Sequence, residues 1–523
     1  MDLDKTMKLL ENWRIKEVTS IASSHQLIAF YLSVLTEEKF RCYALTGFLA
    51  TQYSFTGHVH IREDVFALEW ALRSLSLPDL ELIRIDKLRR KYKDEVANKA
   101  NQTLAALANY SQIRDLIICA NRGGYLVEAP KNNTLIFKDD PNWTGISDMK
   151  SRLIGDRTSA ERNVVGHVRS PAELCLDKTS AYDDFPHNIQ SSTYTASDFW
   201  SLWNWLWELC KERIIEDSSI RNYGTYVATS KTNELCILIT KKRLVDDIFN
   251  AVGIDRDIIR TFLEWLSFNS KTPRKFTLFH CPLVEINDKF FLILPHVIMM
   301  SHIPTIFLRL LAHHNKQLYD AYSTNMEKST LLRLKNHLEN TECEVLTNVK
   351  LDTSSGQMEL DIVEYNKKEA TLSVGQAKLT IRADSVAEVV HSNSVMSEGV
   401  NQLEQNKASF ESDKGVIQAV CSKIGIDCKD IANIRYYLLP TSFTGSDYLS
   451  IPDWIMCLPI EFCLQPKFQG KSLVFIAKDY CKLWNSLDEE NVFSKHERTF
   501  EIGDFKITYP GFKMNHTEHT QRQ

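Results

Sequence analysis

Asp361, Gln376 and Lys378 offer an acid, an amide and an amine at a spacing that two neighbouring strands would bring together. Met358, Leu360 and Ile362 alternate with Glu359, Asp361 and Val363, the period of two that predicts a strand over 356–365. Asn366-Lys-Lys-Glu369 predicts a turn, and Leu372 and Val374 resume the alternation in a second strand over 370–378. Gln376 and Lys378 are two apart and share a face of that strand, as do Glu359 and Asp361 on theirs. Pairing the strands sets Asp361 beside Gln376 and Lys378. A hard cation such as Mg²⁺ takes oxygen ligands, which the Asp361 carboxylate, the Gln376 amide and the Ala377 carbonyl can supply. A cation so held acidifies a bound water and offsets charge growing on a phosphate. Lys378 can place that water. These residue types suit metal-assisted hydrolysis of a phosphodiester.

The elements that must position them follow in order. The pattern predicts a helix over 327–339, a strand over 344–351, the hairpin, a helix over 385–410 and a strand over 433–439. This order, with Asp361, Gln376 and Lys378 in its hairpin, resembles the PD-(D/E)xK nuclease superfamily of restriction-endonuclease-like fold. It is most similar to the Gln-x-Lys branch that includes Mrr-like restriction enzymes, and the likeness covers about residues 320–440. The resemblance implies Asp361 as the metal-binding acid, Gln376 as second ligand or orienter, and Lys378 as the residue facing the attacking water. It also matches Glu327 to the acid on the preceding helix and Glu359 to the first acid of a Glu-x-Asp variant. The implied cofactor is Mg²⁺, with Mn²⁺ as a substitute, and the implied partner is DNA. Lys367, Lys368 and Arg382 would line one rim, and by analogy Gln402 on the following helix would face the substrate. Gln376 in place of Glu removes a negative charge, which weakens the grip on a cation.

At 523 residues the chain has room for several domains, and 44% hydrophobic with 25% charged residues is an ordinary globular balance. A net charge of −5 excludes a wholesale electrostatic grip on nucleic acid while leaving room for a local basic channel. Twelve cysteines with no CxxC argue against a zinc site and for a reducing, cytoplasmic setting. No basic-then-apolar leader opens the chain, and the most apolar stretch, 290–311, is broken by Pro295, Pro304 and Arg309. It predicts a buried segment rather than a membrane span.

The expected organisation is α+β and multidomain: an α-rich N-terminal part with β-hairpins, then a C-terminal α/β domain of restriction-endonuclease-like fold. The boundaries expected are 1–138, an irregular linker over 139–195, a second α+β domain over 196–315, the nuclease-like domain over 316–484 and an extension over 485–523. Hairpins are predicted over 124–137, 223–239 and 276–294, and one short strand over 499–508. Ser197 is the expected N-cap of a helix over 199–215 whose four tryptophans predict core packing.

Other patterns carry less. Arg162-Asn-Val-Val-Gly-His167 fits the Arg-Asn-x3-His motif of HEPN ribonucleases, but Gly166 and Pro171 weaken the helix it needs. Gln469-Gly-Lys-Ser472 ends like a phosphate loop, yet Leu473-Val-Phe-Ile476 predicts a strand where that loop needs a helix. His58 and His60 predict a solvated turn, His313-His314 a helix surface, and the basic run Lys87 to Lys93 a solvated helical face. Lys271, Arg274 and Lys275 around Pro273 predict an exposed turn. The function expected is metal-dependent endodeoxyribonuclease activity in a restriction or phage-defence effector, with a homo-oligomer or a defence-complex protein as further partner and no membrane. The alternative is a catalytically weak nuclease-like module that binds nucleic acid or a partner protein.

Overall fold

The computed structural model describes residues 3–22, 54–74, 95–121, 125–128, 134–139, 185–216, 237–286, 288–353, 356–379, 381, 386–441, 451–489 and 493–514. Over these the chain mixes helices with three sheets. It falls into two compact units, one of residues 1–117, 168–319 and 500–506, the other of 118–167, 320–499 and 507–523.

The first unit holds α1 (Leu3–Ala22), α2 (Ser54–Ser74), α3 (Glu95–Ala120) and α4 (Ala196–Glu216). Phe199, Leu202, Trp203, Leu206, Trp207 and Cys210 are buried at helical spacing on α4, so Trp203 and Trp207 serve the core as expected while Trp200 and Trp205 are half-buried. Its N-cap is Thr195, two residues before the Ser197 expected. The Asp198 N–H donates to Thr195 Oγ1 at 3.1 Å while the Asp198 carboxylate accepts the Thr195 N–H at 2.8 Å, a reciprocal capping box. Then come β3 (Ile237–Thr240), α5 (Lys241–Val252), α6 (Arg256–Trp265), β4 (Ser267–Phe268), β5 (Leu283–Ile286), β6 (Phe290–Ile293), α7 (Pro295–Met300) and α8 (Ile303–His314). The four strands form one sheet in the order β3-β6-β5-β4. Residues 276–279, expected as a strand, form turns instead, because His280 Nδ1 accepts the Thr277 N–H at 3.0 Å and bends the chain. Of the hairpin expected over 223–239, only 237–239 is described, and it pairs with β6. No helix is long and apolar enough to cross a membrane among the described residues, and Ile303–Leu308, Leu310 and Leu311 are buried.

The second unit is built on a five-stranded sheet. Its elements are α9 (Lys316–Leu338, continuing from the first unit), β7 (Cys343–Thr353), β8 (Gly356–Asn366), β9 (Thr371–Lys378), α10 (Val386–Ser412), α11 (Lys414–Ile424), β10 (Asn433–Pro440), β11 (Ile455–Cys457), α12 (Ile460–Cys463) and α13 (Leu473–Glu489). Sheet order is β11-β10-β9-β8-β7, antiparallel from β7 to β9 and parallel from β9 to β11. Helices cover both faces, as parallel strands require. One layer joins Leu331, Leu334 and Leu338 of α9 to Ile362, Ala377, Leu439, Phe462, Leu473 and Ile476. The other joins Met396, Val400 and Leu403 of α10 and Val416 and Val420 of α11 to Leu360, Val363, Val374 and Leu438. Each such side chain contributes about 1.5–3 kcal/mol by leaving water.

A third sheet is ordered β1-β2-β13-β12, from β1 (Tyr125–Glu128), β2 (Thr134–Asp139), β12 (Phe493–Ile502) and β13 (Phe505–Met514). The single strand expected over 499–508 is thus a hairpin, turned at Gly503, whose φ of 54° suits glycine.

Candidate active site

The hairpin of β8 and β9 carries the candidate site. Asn366 Oδ1 accepts the Glu369 N–H at 3.1 Å and closes the turn, so the ladder runs from Asn366–Thr371 to Ile362–Gly375 and ends there. Asp361 is the first residue past that end.

The uninterrupted alternation expected over 356–365 breaks at this residue. Ile362 packs in the α9 layer and Val363 and Tyr365 in the α10 layer. Leu360 and Met358 share the parity of Ile362, yet pack in the α10 layer. β7 changes in step, with Val345 in the first layer and Val349 and Leu351 in the second. The change falls on Asn348 and Asp361, which stand between the pairs Thr347–Ile362 and Val349–Leu360. Asn348 has φ 53°, a left-handed conformation that asparagine enters at lower cost than most residues. Asp361 therefore leaves the face alternation and turns its carboxylate along the sheet. Its Oδ2 accepts the Ala377 N–H at 2.8 Å and a short bond from the Gln376 amide nitrogen.

Asp361 is buried, at 6% exposure. That burial pushes its carboxyl up to about 6. The Ala377 N–H and then Lys378 pull it down, whereas the negative charges of Glu327 and Glu359 push it up. Gln376 Oε1 is buried and has no hydrogen-bond partner among the described residues. In an extended strand a residue's N–H and C=O face the same edge, so the Ala377 carbonyl faces the gap that its N–H closes on Asp361. The Lys378 stem crosses α10 at Gly399, where an added methyl would lie 3.0 Å from Lys378 Cε and 2.6 Å from Leu438 Cδ1. Glycine inside a helix costs about 1 kcal/mol relative to alanine, and this close approach accounts for it.

The structure thus brings Asp361, Gln376, Ala377 and Lys378 together, with Glu327 near enough for its charge to bear on Asp361. Glu359 does not share the Asp361 face. It is exposed and pairs with Lys350 at 3.8 Å. Lys367 and Lys368 are not on this rim. They sit in the turn at the other end of the hairpin, about 20 Å from Asp361 at the rise of a strand, and Lys367 pairs with Glu344 at 3.1 Å. Gln402 is exposed on α10, three residues past Gly399. Arg382, the basic run from Lys87, and Arg162 with His167 lie outside the described residues. His58 and His60 fall in α2 rather than in a turn.

Glu364 was not singled out by its type, although it shares the apolar parity of Met358, Leu360 and Ile362. It is fully buried, and both its oxygens accept the Leu473 N–H, at 3.0 and 3.1 Å. Desolvation pushes it up to about 7, against the pull of that N–H. Leu473 opens α13, so the strand expected over 473–476 is a helix. Ser472 caps it by accepting the Phe475 N–H at 3.2 Å. The place a phosphate would take at that helix start is held by the protein's own carboxylate.

Among the described residues no three His, Cys, Asp or Glu side chains gather as a ligand set. A cation at this site would rest on one carboxylate, the Gln376 Oε1 that has no other partner, and a carbonyl. That all-oxygen set matches Mg²⁺, which keeps several of its waters. Comparison with protein-family models, with curated proteins and with solved structures returned no match.

Proposed function

We propose that the second unit is a metal-dependent endodeoxyribonuclease of the PD-(D/E)xK kind. The observation that supports it most is the buried Gln376 Oε1, left without a partner among the described residues beside the Asp361 carboxylate. A buried amide oxygen left unmatched costs about 1–3 kcal/mol, and a cation ligated there removes that cost.

A bound Mg²⁺ would supply a Lewis acid for the phosphate and would lower the pKa of a coordinated water. The chain's own groups do the rest. Asp361, Gln376 and Ala377 would hold the ion through their oxygens. Lys378 lies on the Gln376 side of β9, its stem packed against Gly399, and its ammonium would serve the attacking water and the phosphate oxygens. Asp361 would serve as a ligand only when ionised, so a cation must displace the proton that burial favours and its binding weakens as pH falls. Within this reading the chain acts as a restriction or phage-defence effector, its other unit choosing the substrate or a partner.

A binding module without catalysis is the second reading. The Gln376 amide nitrogen already donates to Asp361, a pair that stands without a cation. Supercoiled plasmid incubated with Mg²⁺, with Mn²⁺ and with EDTA, beside Lys378→Ala, separates the two. Metal-dependent nicking lost in the variant is the result expected. Absence of cleavage with either metal, together with no metal binding that Asp361→Ala removes, would sink the nuclease reading.

A further inference from the structure

The first unit contains a cleft of about 1270 Å³ that the nuclease reading leaves unused. Its floor is the end of the β3-β6-β5-β4 sheet, and its walls are α5, α6, the turn at 271–276 and the last turn of α8.

Two kinds of surface meet there. One is aromatic. His314 lies flat on Trp265, with ring centroids 4.8 Å and planes 4° apart, and His313 meets Phe276 edge-on at 5.1 Å. Trp265 and Phe276 are buried while both histidines are exposed. Desolvation, then the neighbouring His313 and Lys275, push the His314 imidazole down to about 4. At neutral pH it is an uncharged ring backed by an indole.

The other surface is cationic. Six lysine and arginine side chains line the cleft against four carboxylates. Two of those acids are already matched, Asp246 by Arg256 at 3.2 Å and Glu285 by Lys241 and by the Asn269 amide at 2.7 Å. Lys242 and Lys271 are exposed and pair with no carboxylate among the described residues. Thr240, the N-cap of α5, also lines the cleft, so the positive end of that helix opens into it. Arg260 pairs with Asp257, and Glu264 and Asp288 are exposed acids of the same lining. Six cations against four carboxylates thus leave a modest positive excess in a chain of net −5.

We propose that this cleft binds a short segment of single-stranded nucleic acid, with bases stacked on the His314–Trp265 surface and phosphates on Lys242, Lys271 and the first turn of α5. The cleft exceeds the roughly 300–1,000 Å³ of small-ligand pockets. Its two lysines without a carboxylate partner come from different elements, Lys242 from the first turn of α5 and Lys271 from the turn at 271–276. Stacking surfaces joined to a spread of cations are what single strands use, whereas a duplex keeps its base faces covered.

The site belongs to the other unit and can be tested apart from the nuclease reading, with EDTA present to prevent cleavage. Fluorescence anisotropy of the full chain would use three labelled probes: an oligo(dT) of about a dozen nucleotides, a duplex of the same length, and ATP. The oligonucleotide should bind best. Lys242→Glu with Lys271→Glu should weaken it at least about 10-fold and flatten the plot of log affinity against log salt by about 1.4, at about 0.7 per phosphate contact. His314→Ala should weaken binding by about 5-fold or more. All three positions are exposed, and unchanged circular dichroism would confirm the fold. Tighter binding of ATP or duplex, no binding of the oligonucleotide, or equal affinity in these variants would overturn the proposal.

Discussion

Asp361→Asn should make the protein more stable at alkaline pH while removing its grip on metal. The carboxyl stands at about 6 in the fold against 3.8 for the free group, which sets about 3 kcal/mol against the ionised form. Because the folded chain holds this proton more tightly, the carboxyl's contribution to stability is present below about pH 4 and is lost as pH rises through about 6. Asparagine never ionises. Its Oδ1 can still accept the Ala377 N–H and the Gln376 amide N–H that Asp361 Oδ2 accepts now. In EDTA at about pH 8, urea unfolding should therefore show the variant up to about 3 kcal/mol more stable, with the gap closing as pH falls toward about 4. Adding Mg²⁺ should stabilise the wild type by mass action and leave the variant unmoved. A variant less stable than wild type at pH 8, or one whose difference is the same at every pH, would refute the argument that burial costs this carboxylate its charge.

Lys378→Ala should lower plasmid cleavage about 10²–10³-fold with circular dichroism unchanged, the loss typical of one preorganised donor. Gly399→Ala should improve helix propensity yet reduce turnover at saturating DNA at least about 10-fold, since the methyl takes the path of the Lys378 stem; full activity there would mean the lysine is not set by α10. Gln376→Glu should tighten Mg²⁺ binding by calorimetry, and it should make the metal-free protein less stable at pH 8 by placing a second charge beside Asp361. Glu364→Gln keeps an acceptor for Leu473, so thermal unfolding should show a gain above about pH 7 and none below about pH 4.5.

The succession of helix, three strands, helix and strand in the second unit is legible because the first three strands alternate, Tyr436 to Leu439 form a short apolar run, and Asn366-Lys-Lys-Glu369 has the composition of a turn. The nearness of Asp361 to Gln376 and Lys378 follows from that pairing, but the turn of its carboxylate onto them does not. Periodicity misses what breaks it. Asn348 enters the left-handed region and β8 changes faces at Asp361, and neither event leaves a mark in an apolar pattern whose count is unaltered. Lys367 and Lys368 are near Asp361 in sequence but not in space, because an extended chain carries six residues to the far end of the sheet. Leu473-Val-Phe-Ile476 has strand composition. A serine cap and a buried carboxylate accepting the Leu473 N–H make it a helix, and both are tertiary facts.

One strand that serves two interiors has a consequence for how this site is tuned. Residues before Asp361 are gripped by the core under α10 and α11, and Ile362 just after it by the core under α9. The aim of the acid is thus set by two masses of packed side chains that share only a backbone. A methyl group lost from either mass, well away from any phosphate, reaches the chemistry as a twist about a single residue.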